Sequence, residues 1–386
     1  MTGNDQDGYQ LATNHYTPGL GWAGVELMGD IVDQPDIAMG RDGGAILTWT
    51  SPGYALAAEY ERGVGWGKAF ELHECGIDPC ASGNARVAID VEGRGMAMWS
   101  SVDGTDRTIW GRRYLPDSGW EAAELIATSP LTTTSGYPST GLDVAIDPNG
   151  NAVAAWAFGV DAGATIWASF YSTAEGWREP EPVATGVQDS RSIQLAVDAL
   201  GSAFVAWNEE RALWVNRYDV AEGWGQPLEI AERFIFTLYT SVLAGLGVDD
   251  AGNATLLWQA EEGQIVTSRF APGAGWGPVE EVGVGLPPAA DFTGEQPAHP
   301  HLAMAPDGSA VAVWEQEDWE VPSIVARRYS PEQGWQPVQV IEQYHSSPTV
   351  TPHVAINEKG AAIAVWLRYG SNHGDNGGIW ANASLP

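Results

Sequence analysis

Lysine is almost missing from this sequence. Lys68 and Lys359 are its only lysines, and the whole chain sets 18 basic side chains against 50 acidic ones, a formal net charge of -32. Nucleic-acid binding depends on clustered cations that displace counterions from phosphate, so that partner class is excluded. An anionic membrane surface is disfavoured for the same reason. No apolar run approaches the roughly 20 residues of a bilayer-spanning helix, so no membrane span is expected. Cysteine is confined to Cys75 and Cys80 in the stretch Cys-Gly-Ile-Asp-Pro-Cys. Two are too few for a structural zinc site, and their spacing is too wide for a redox Cys-x-x-Cys. A small surface disulfide is expected, which favours an oxidising compartment. Phosphate-cradling glycine loops, Gly-x-Ser-x-Gly and His-Glu-x-x-His are also lacking, so nucleotide, serine-hydrolase and zincin chemistries have no motif behind them. No stretch sustains a helical period.

Tryptophan, by contrast, is abundant, with nineteen in 386 residues and 44% of all residues hydrophobic, enough to bury a large core. The tryptophans recur in a unit of about 50 residues. In one copy Asp143-Val-Ala-Ile-Asp-Pro-Asn-Gly150 runs on to Trp156, then to Thr165-Ile-Trp-Ala-Ser-Phe-Tyr171, and then to Gly176-Trp177. The first tryptophan returns as Trp49, Trp99, Trp156, Trp207, Trp258, Trp314 and Trp366, the second as Trp22, Trp66, Trp120, Trp177, Trp224, Trp276 and Trp335. Each unit divides into four short branched or aromatic segments separated by Gly, Asp, Asn or Pro, the pattern of strands joined by tight turns. Such a period with four strands per unit marks a propeller blade. The fold class read from the sequence is therefore all-β, a seven-bladed β-propeller with four-stranded antiparallel blades. It is expected to form a single domain over residues 1-386, with N-terminal strands completing the final blade. The residue two after each turn glycine is Ala45, Gly95, Ala152, Ala203, Ala254, Ala310 or Ala362, small as the crowded inner part of a radial array requires. Packing between blades accounts for both tryptophan columns.

The units Ile166-Trp-Ala-Ser-Phe-Tyr171 with Gly176-Trp177, and Leu213-Trp-Val-Asn-Arg-Tyr218 with Gly223-Trp224, resemble repeats of secreted or surface bacterial β-propeller proteins. The resemblance covers nearly the whole chain and implies a lectin-like or sialidase-like architecture, in a family whose roles are mostly unassigned. The Asp-x-x-Gly turn does not match the sialidase Asp-box, which has a shorter spacing to its tryptophan.

In a propeller the uniform Asp-x-x-Gly and Gly-Trp turns share one face, and the segments that vary in length lie on the other, where binding residues concentrate. Seven residues before each turn glycine the chain holds Asp36, Arg86, Asp143, Gln194, Gly245, His301 and His353. The next residue is always apolar. This polar, variable column is expected at the mouth of the central channel on the variable face. Asp36, His301 and His353, with His299 one strand period earlier, are a candidate shell for a divalent metal in the channel. A polar lining that solvates the channel explains the same residues. Trp319 and Tyr369 head the irregular loop aromatics suited to stacking on a sugar. The acidic stretch from Glu315 to Glu320 lacks the spacing of an EF-hand and reads as solvated surface.

Three functions follow from these features. The first is an extracellular, periplasmic or cell-surface recognition module, monomeric, binding a carbohydrate or protein ligand on the variable face. The second is a polysaccharide lyase or hydrolase centred on the column. The third is a protein-docking scaffold.

Overall fold

The computed structural model describes most of residues 33–368, with strand segments at 10–13, 16–17, 21–22, 26–30 and 379–384. Outside the described residues lie 1–9, the stretches between those terminal segments, 385–386, and residues 73–80, 131–140, 233–243, 286–297, 342–348 and 369–378. Short gaps at 52, 104–105, 160–162, 189–191, 210–211, 261–262, 319–320, 359 and 361 complete the set. Cys75, Cys80, Trp319 and Tyr369 therefore fall outside the described residues.

The fold is an all-β propeller, but it has six blades rather than seven. Each blade is an antiparallel sheet of five strand segments, and blade 3 is typical: Leu142–Ile146, Ala152–Phe158, Ala164–Ser172, Gly176–Trp177 and Glu181–Val187. The inner strands of the six are Asp33–Met39, Ala81–Ile89, Leu142–Ile146, Ile193–Val197, Ala244–Val248 and His301–Met304. The seventh tryptophan unit makes only a three-stranded sheet, Thr349–Ile356, Ala362–Arg368 and Ile379–Ser384. Its first strand touches the inner strands of blades 6 and 1 and so fills the remaining sector. Among the described residues the N-terminal segments form no ladder with that sheet, although Gln10–Thr13 lies beside its last strand, Ile379–Ser384. Gln10–Thr13 pairs with Glu26–Asp30, and Tyr16–Thr17 with Gly21–Trp22, as two separate ribbons.

The expected fourth strand is split in two. Gly176–Trp177 and Glu181–Val187 both pair with the third strand of blade 3, leaving a break between them. Pro180, Pro227, Pro278 and Pro337 stand in that break in four blades, where a residue without an N–H cannot continue a ladder. The Gly-Trp segment is held by an aromatic clasp. Tyr60–Trp66, Tyr114–Trp120, Tyr171–Trp177, Tyr218–Trp224, Phe270–Trp276 and Tyr329–Trp335 stack with ring centroids 5.3 to 5.7 Å apart.

The core lies between blades. Trp99, Trp156 and Trp314 are fully buried, and the other four members of the first column are at most 3% exposed. The small column is buried with them, and a Cβ on Gly95 would come within 2.9 Å of Ile46 in blade 1. The Asp-x-x-Gly turn is a self-contained device. Asp147 accepts the N–H groups of Asn149 and Asn151 at 2.8 and 2.9 Å, Asp198 and Asp249 do the same in their turns, and Gly150 takes φ of +81°. At this face the channel is closed down by one apolar side chain per inner strand, including Met39, Ile89, Ile146 and Val197, around a cavity of about 200 Å³.

Candidate functional site at the channel mouth

The polar column sits at the opposite end of the inner strands, and the backbone is distorted there. The ladder shifts register between Asp33 and Asp36, between Gly83 and Arg86, and between Val350 and His353. Bulges of this kind re-aim side chains and concentrate beside functional sites. Among the described residues only Asn84, His299 and Thr351 are non-glycine residues with positive φ, at 52°, 44° and 54°. Each stands two positions before a column residue: Arg86, His301 and His353. A left-handed threonine costs on the order of 1–3 kcal/mol and persists only where its surroundings impose it.

Those surroundings are side chains to which the sequence pattern assigned no place at the channel mouth. Glu315, 2% exposed, accepts the backbone N–H of Thr351 at 2.7 Å and meets Nδ1 of His299 at 2.5 Å. Gln259 accepts the N–H of Ala298 at 2.6 Å, Asn208 that of Ser192 at 3.1 Å, and Ser100 donates to the carbonyl of Gly83 at 2.9 Å. All four directly follow a buried first-column tryptophan. A polar residue at a position flanked by core is the signal that would have found them. Glu315 is thus an internal anchor and not part of a solvated acidic surface.

The structure brings Asp36, Arg86, Asp143, His301 and His353 into one electrostatic neighbourhood. Burial pushes the Asp36 carboxyl up, with Arg86 opposing. Burial raises Asp143 to about 7, partly offset by Arg86 and reinforced by Asp36. Both imidazoles are driven down to about 3, first by burial and then by neighbouring positive charge, Arg86 acting on each. The histidines are therefore neutral at physiological pH. Their rings lie 4.6 Å apart, and Nδ1 of His353 is 4.0 Å from Asp36. Some water still reaches the group, since the His353 and Asp36 side chains keep 24% and 16% of their exposure.

Several column members tie one inner strand to the next. Asp36 accepts the N–H of Ile37 and, across the junction, that of Val87 at 2.9 Å. Asp143 accepts those of Val144 and, from blade 4, Leu195 at 2.8 Å. His301 Nδ1 accepts the N–H of Val354 at 3.3 Å, which fixes the neutral tautomer with its proton on Nε2. Arg86 and Gln194 each use one donor on the carbonyl just before them, at 3.1 and 3.2 Å. Gly245 has no side chain to offer, and none would fit, because a Cβ there would lie 2.2 Å from Leu302.

A metal shell of His299, His301, His353 and Asp36 is not what the side chains build. His299 is committed to Glu315 and His301 to Val354, and no group of three or more His, Cys, Asp or Glu among the described residues is arranged to hold an ion.

No protein-family profile and no curated protein matches the chain. Solved structures do share its fold. A lectin from Burkholderia pseudomallei is 12% identical with a TM-score of 0.56, the alignment covering 88% of this chain and 96% of that one. The fucose-specific lectin from Aleuria aurantia is 10% identical at a TM-score of 0.45, covering 80% of this chain and 94% of the other. A Hadza microbial sialidase is 14% identical at 0.47, covering 74% of this chain and 63% of its own. At these identities the likeness is one of fold, and it rests on the Burkholderia lectin.

Proposed function

We propose that the protein is an extracellular or cell-surface recognition module that binds carbohydrate at the channel mouth. One observation carries the reading: every non-glycine residue held in left-handed backbone among the described residues stands two positions before a polar residue of this cluster. Strain gathered around one set of side chains indicates a geometry maintained for a ligand. The cluster offers the spare donors of Arg86, the Nε2–H of His301, the amide of Gln194 and the imidazole of His353. Such a set of mostly uncharged donors and acceptors suits the hydroxyls of a sugar. The lectin architecture of the Burkholderia protein is compatible with this reading.

A glycan array followed by titration calorimetry tests it. Arg86→Ala and His353→Gln are expected to weaken the selected glycan at least about tenfold, about 1.4 kcal/mol. Full affinity in both variants would exclude the channel mouth.

The second reading, a polysaccharide lyase or hydrolase, has one observation behind it. Asp143 titrates near 7, the range useful to a general acid. Both oxygens of that carboxylate are already occupied by backbone N–H groups, which favours a structural bridge over an acid free to reach substrate. Reducing-end release from candidate polysaccharides, abolished by Asp143→Asn, would reverse this preference.

A further inference from the structure

On the turn face one bridging pattern between blades is broken at a single junction among the six complete blades. In the complete blades the residue before the clasp aromatic reaches across to the next blade. Glu59 accepts the indole N–H of Trp120 at 2.8 Å, and Arg113 donates to the hydroxyl of Tyr171 at 3.2 Å. Arg217 lies over the ring of Phe270, Arg269 stands 4.0 Å from the ring centroid of Tyr329, and Arg328 donates to the carbonyl of Gly360 at 2.7 Å. Blade 3 breaks the series with Phe170, whose ring meets Tyr218 of blade 4 at 4.4 Å.

With no long polar side chain spanning this junction, a cavity of about 250 Å³ opens, walled by Phe170, Tyr218 and Val153. Its lip is apolar and wet, with Leu200 78% and Val220 58% exposed. Both are substitutions within the repeat. The turn position of Leu200 holds Asp42, Glu92, Asn149, Ala251, Asp307 and Lys359 in the other units, and that of Val220 holds a proline in three blades. Two large exposed aliphatic groups at turn positions that are elsewhere mostly polar or small have no packing role to explain them. Around the same cavity stand the exposed guanidinium of Arg178, the exposed amide of Asn149 and the phenol of Tyr218, each without a side-chain hydrogen bond among the described residues.

We infer that this junction is a second ligand site that takes one neutral pyranose ring of a glycan. The inference rests on the carbohydrate reading above and extends it to the opposite face. A pyranose has one apolar face of C–H groups and an equator of hydroxyls. The Phe170 and Tyr218 rings with the aliphatic lip match the first, and Arg178, Asn149 and the Tyr218 hydroxyl match the second. The volume lies just below the range of about 300–1,000 Å³ for drug-sized pockets, which suits one ring and not an extended chain. A net charge of -32 opposes acidic sugars over longer range. A purely apolar side chain from a protein partner would leave the polar equator desolvated and unpaired.

The test is saturation-transfer NMR and calorimetry with a panel of neutral methyl pyranosides and one methyl uronide. The full chain is compared with Phe170→Arg, Leu200→Asn and Arg86→Ala. Phe170→Arg restores the residue type used at four other junctions, and Leu200→Asn changes an exposed side chain, so a folding defect in the first leaves the second informative. The expected result is two pyranoside sites in the parent, one of them weakened about tenfold or more in Phe170→Arg and Leu200→Asn, and the other one alone weakened in Arg86→Ala. Unchanged affinity in both junction variants, with loss in Arg86→Ala, overturns this site and leaves the channel-mouth reading standing. Binding of the uronide alone overturns the ligand class, and a chain that binds no pyranoside overturns both sites.

Discussion

Replacing Asp143 by asparagine sets two opposed effects against each other. The carboxylate bridges blades 3 and 4 by accepting the N–H groups of Val144 and Leu195 at 2.9 and 2.8 Å. An asparagine keeps the shape but presents an N–H₂ group to one of those donors, at a cost of about 1–2 kcal/mol independent of pH. Against this, burial raises the pKa of Asp143 from 3.8 to about 7. A folded pKa above the unfolded one contributes stability that is complete below the unfolded value and lost as pH rises through the folded one. The window here runs from about 4 to about 7. At about 1.4 kcal/mol per unit, a shift of roughly three units bounds the loss near 4 kcal/mol, and partial hydration from the channel reduces it to about 2 kcal/mol. The asparagine amide cannot ionise and escapes this loss. The variant should therefore be the less stable protein near pH 4.5, and should match or exceed the parent near pH 8. Urea unfolding followed by tryptophan fluorescence at the two pH values measures the difference directly. An identical stability gap at both would refute the account of Asp143 as a carboxylate bridge held against its own desolvation.

His353→Gln should act in the opposite sense. The folded pKa of about 3 lies below the free value of 6.5, so the parent loses stability as pH falls from about 6.5, and the variant should show a shallower fall in Tm between pH 7 and 4. Trp314→Ala removes a side chain with no exposure and a hydrogen bond from its indole to Val284. A loss of about 3–5 kcal/mol is expected in denaturant titration, and a loss below about 1 kcal/mol would contradict its place in the core. Gly245→Ala puts a Cβ 2.2 Å from Leu302. It should cost at least about 1–3 kcal/mol through overpacking, and an unchanged Tm would show that blades 5 and 6 are less closely apposed than described.

The repeat was legible because it is dictated by packing. Trp99, Trp156, Trp207, Trp258 and Trp314 are each at most 2% exposed, and a position that must fill the same space in each blade returns with the same residue. Blade count was less legible for a related reason. A tryptophan unit records that an inner hairpin exists, as Trp366 does, but not that the outer strands are assembled on it. Thr349–Ile356 and Ala362–Arg368 carry the full inner pattern, yet among the described residues the paired sheet ends at Ile379–Ser384, and Gln10–Thr13, which lies beside that strand, pairs with Glu26–Asp30. The split of the outer strand, in contrast, was on view in Pro180, Pro227, Pro278 and Pro337.

At the channel mouth the variable polar column was legible as a ligand site or a polar lining of the channel, but its part in joining one inner strand to the next was not. The inner strand of a blade is an edge strand, and its free N–H groups require partners. Asp36 serves Val87, Asp143 serves Leu195 and His301 serves Val354, three side chains of two chemical types that solve one problem. Gly245 meets it differently, by letting Leu302 approach. Variation at these four positions is therefore compatible with a structural role. Arg86, Gln194 and His353 do not bridge blades: the first two touch only the carbonyl beside them, and Nδ1 of His353 has no hydrogen-bond partner. Donors with bonding capacity to spare, two of them, Arg86 and His353, set by bulged, left-handed backbone, are what a ligand would engage. The column divides by hydrogen-bond accounting into members that hold the ring together and members that face outward. Substitutions in the first group should register in stability, and those in the second should register in binding.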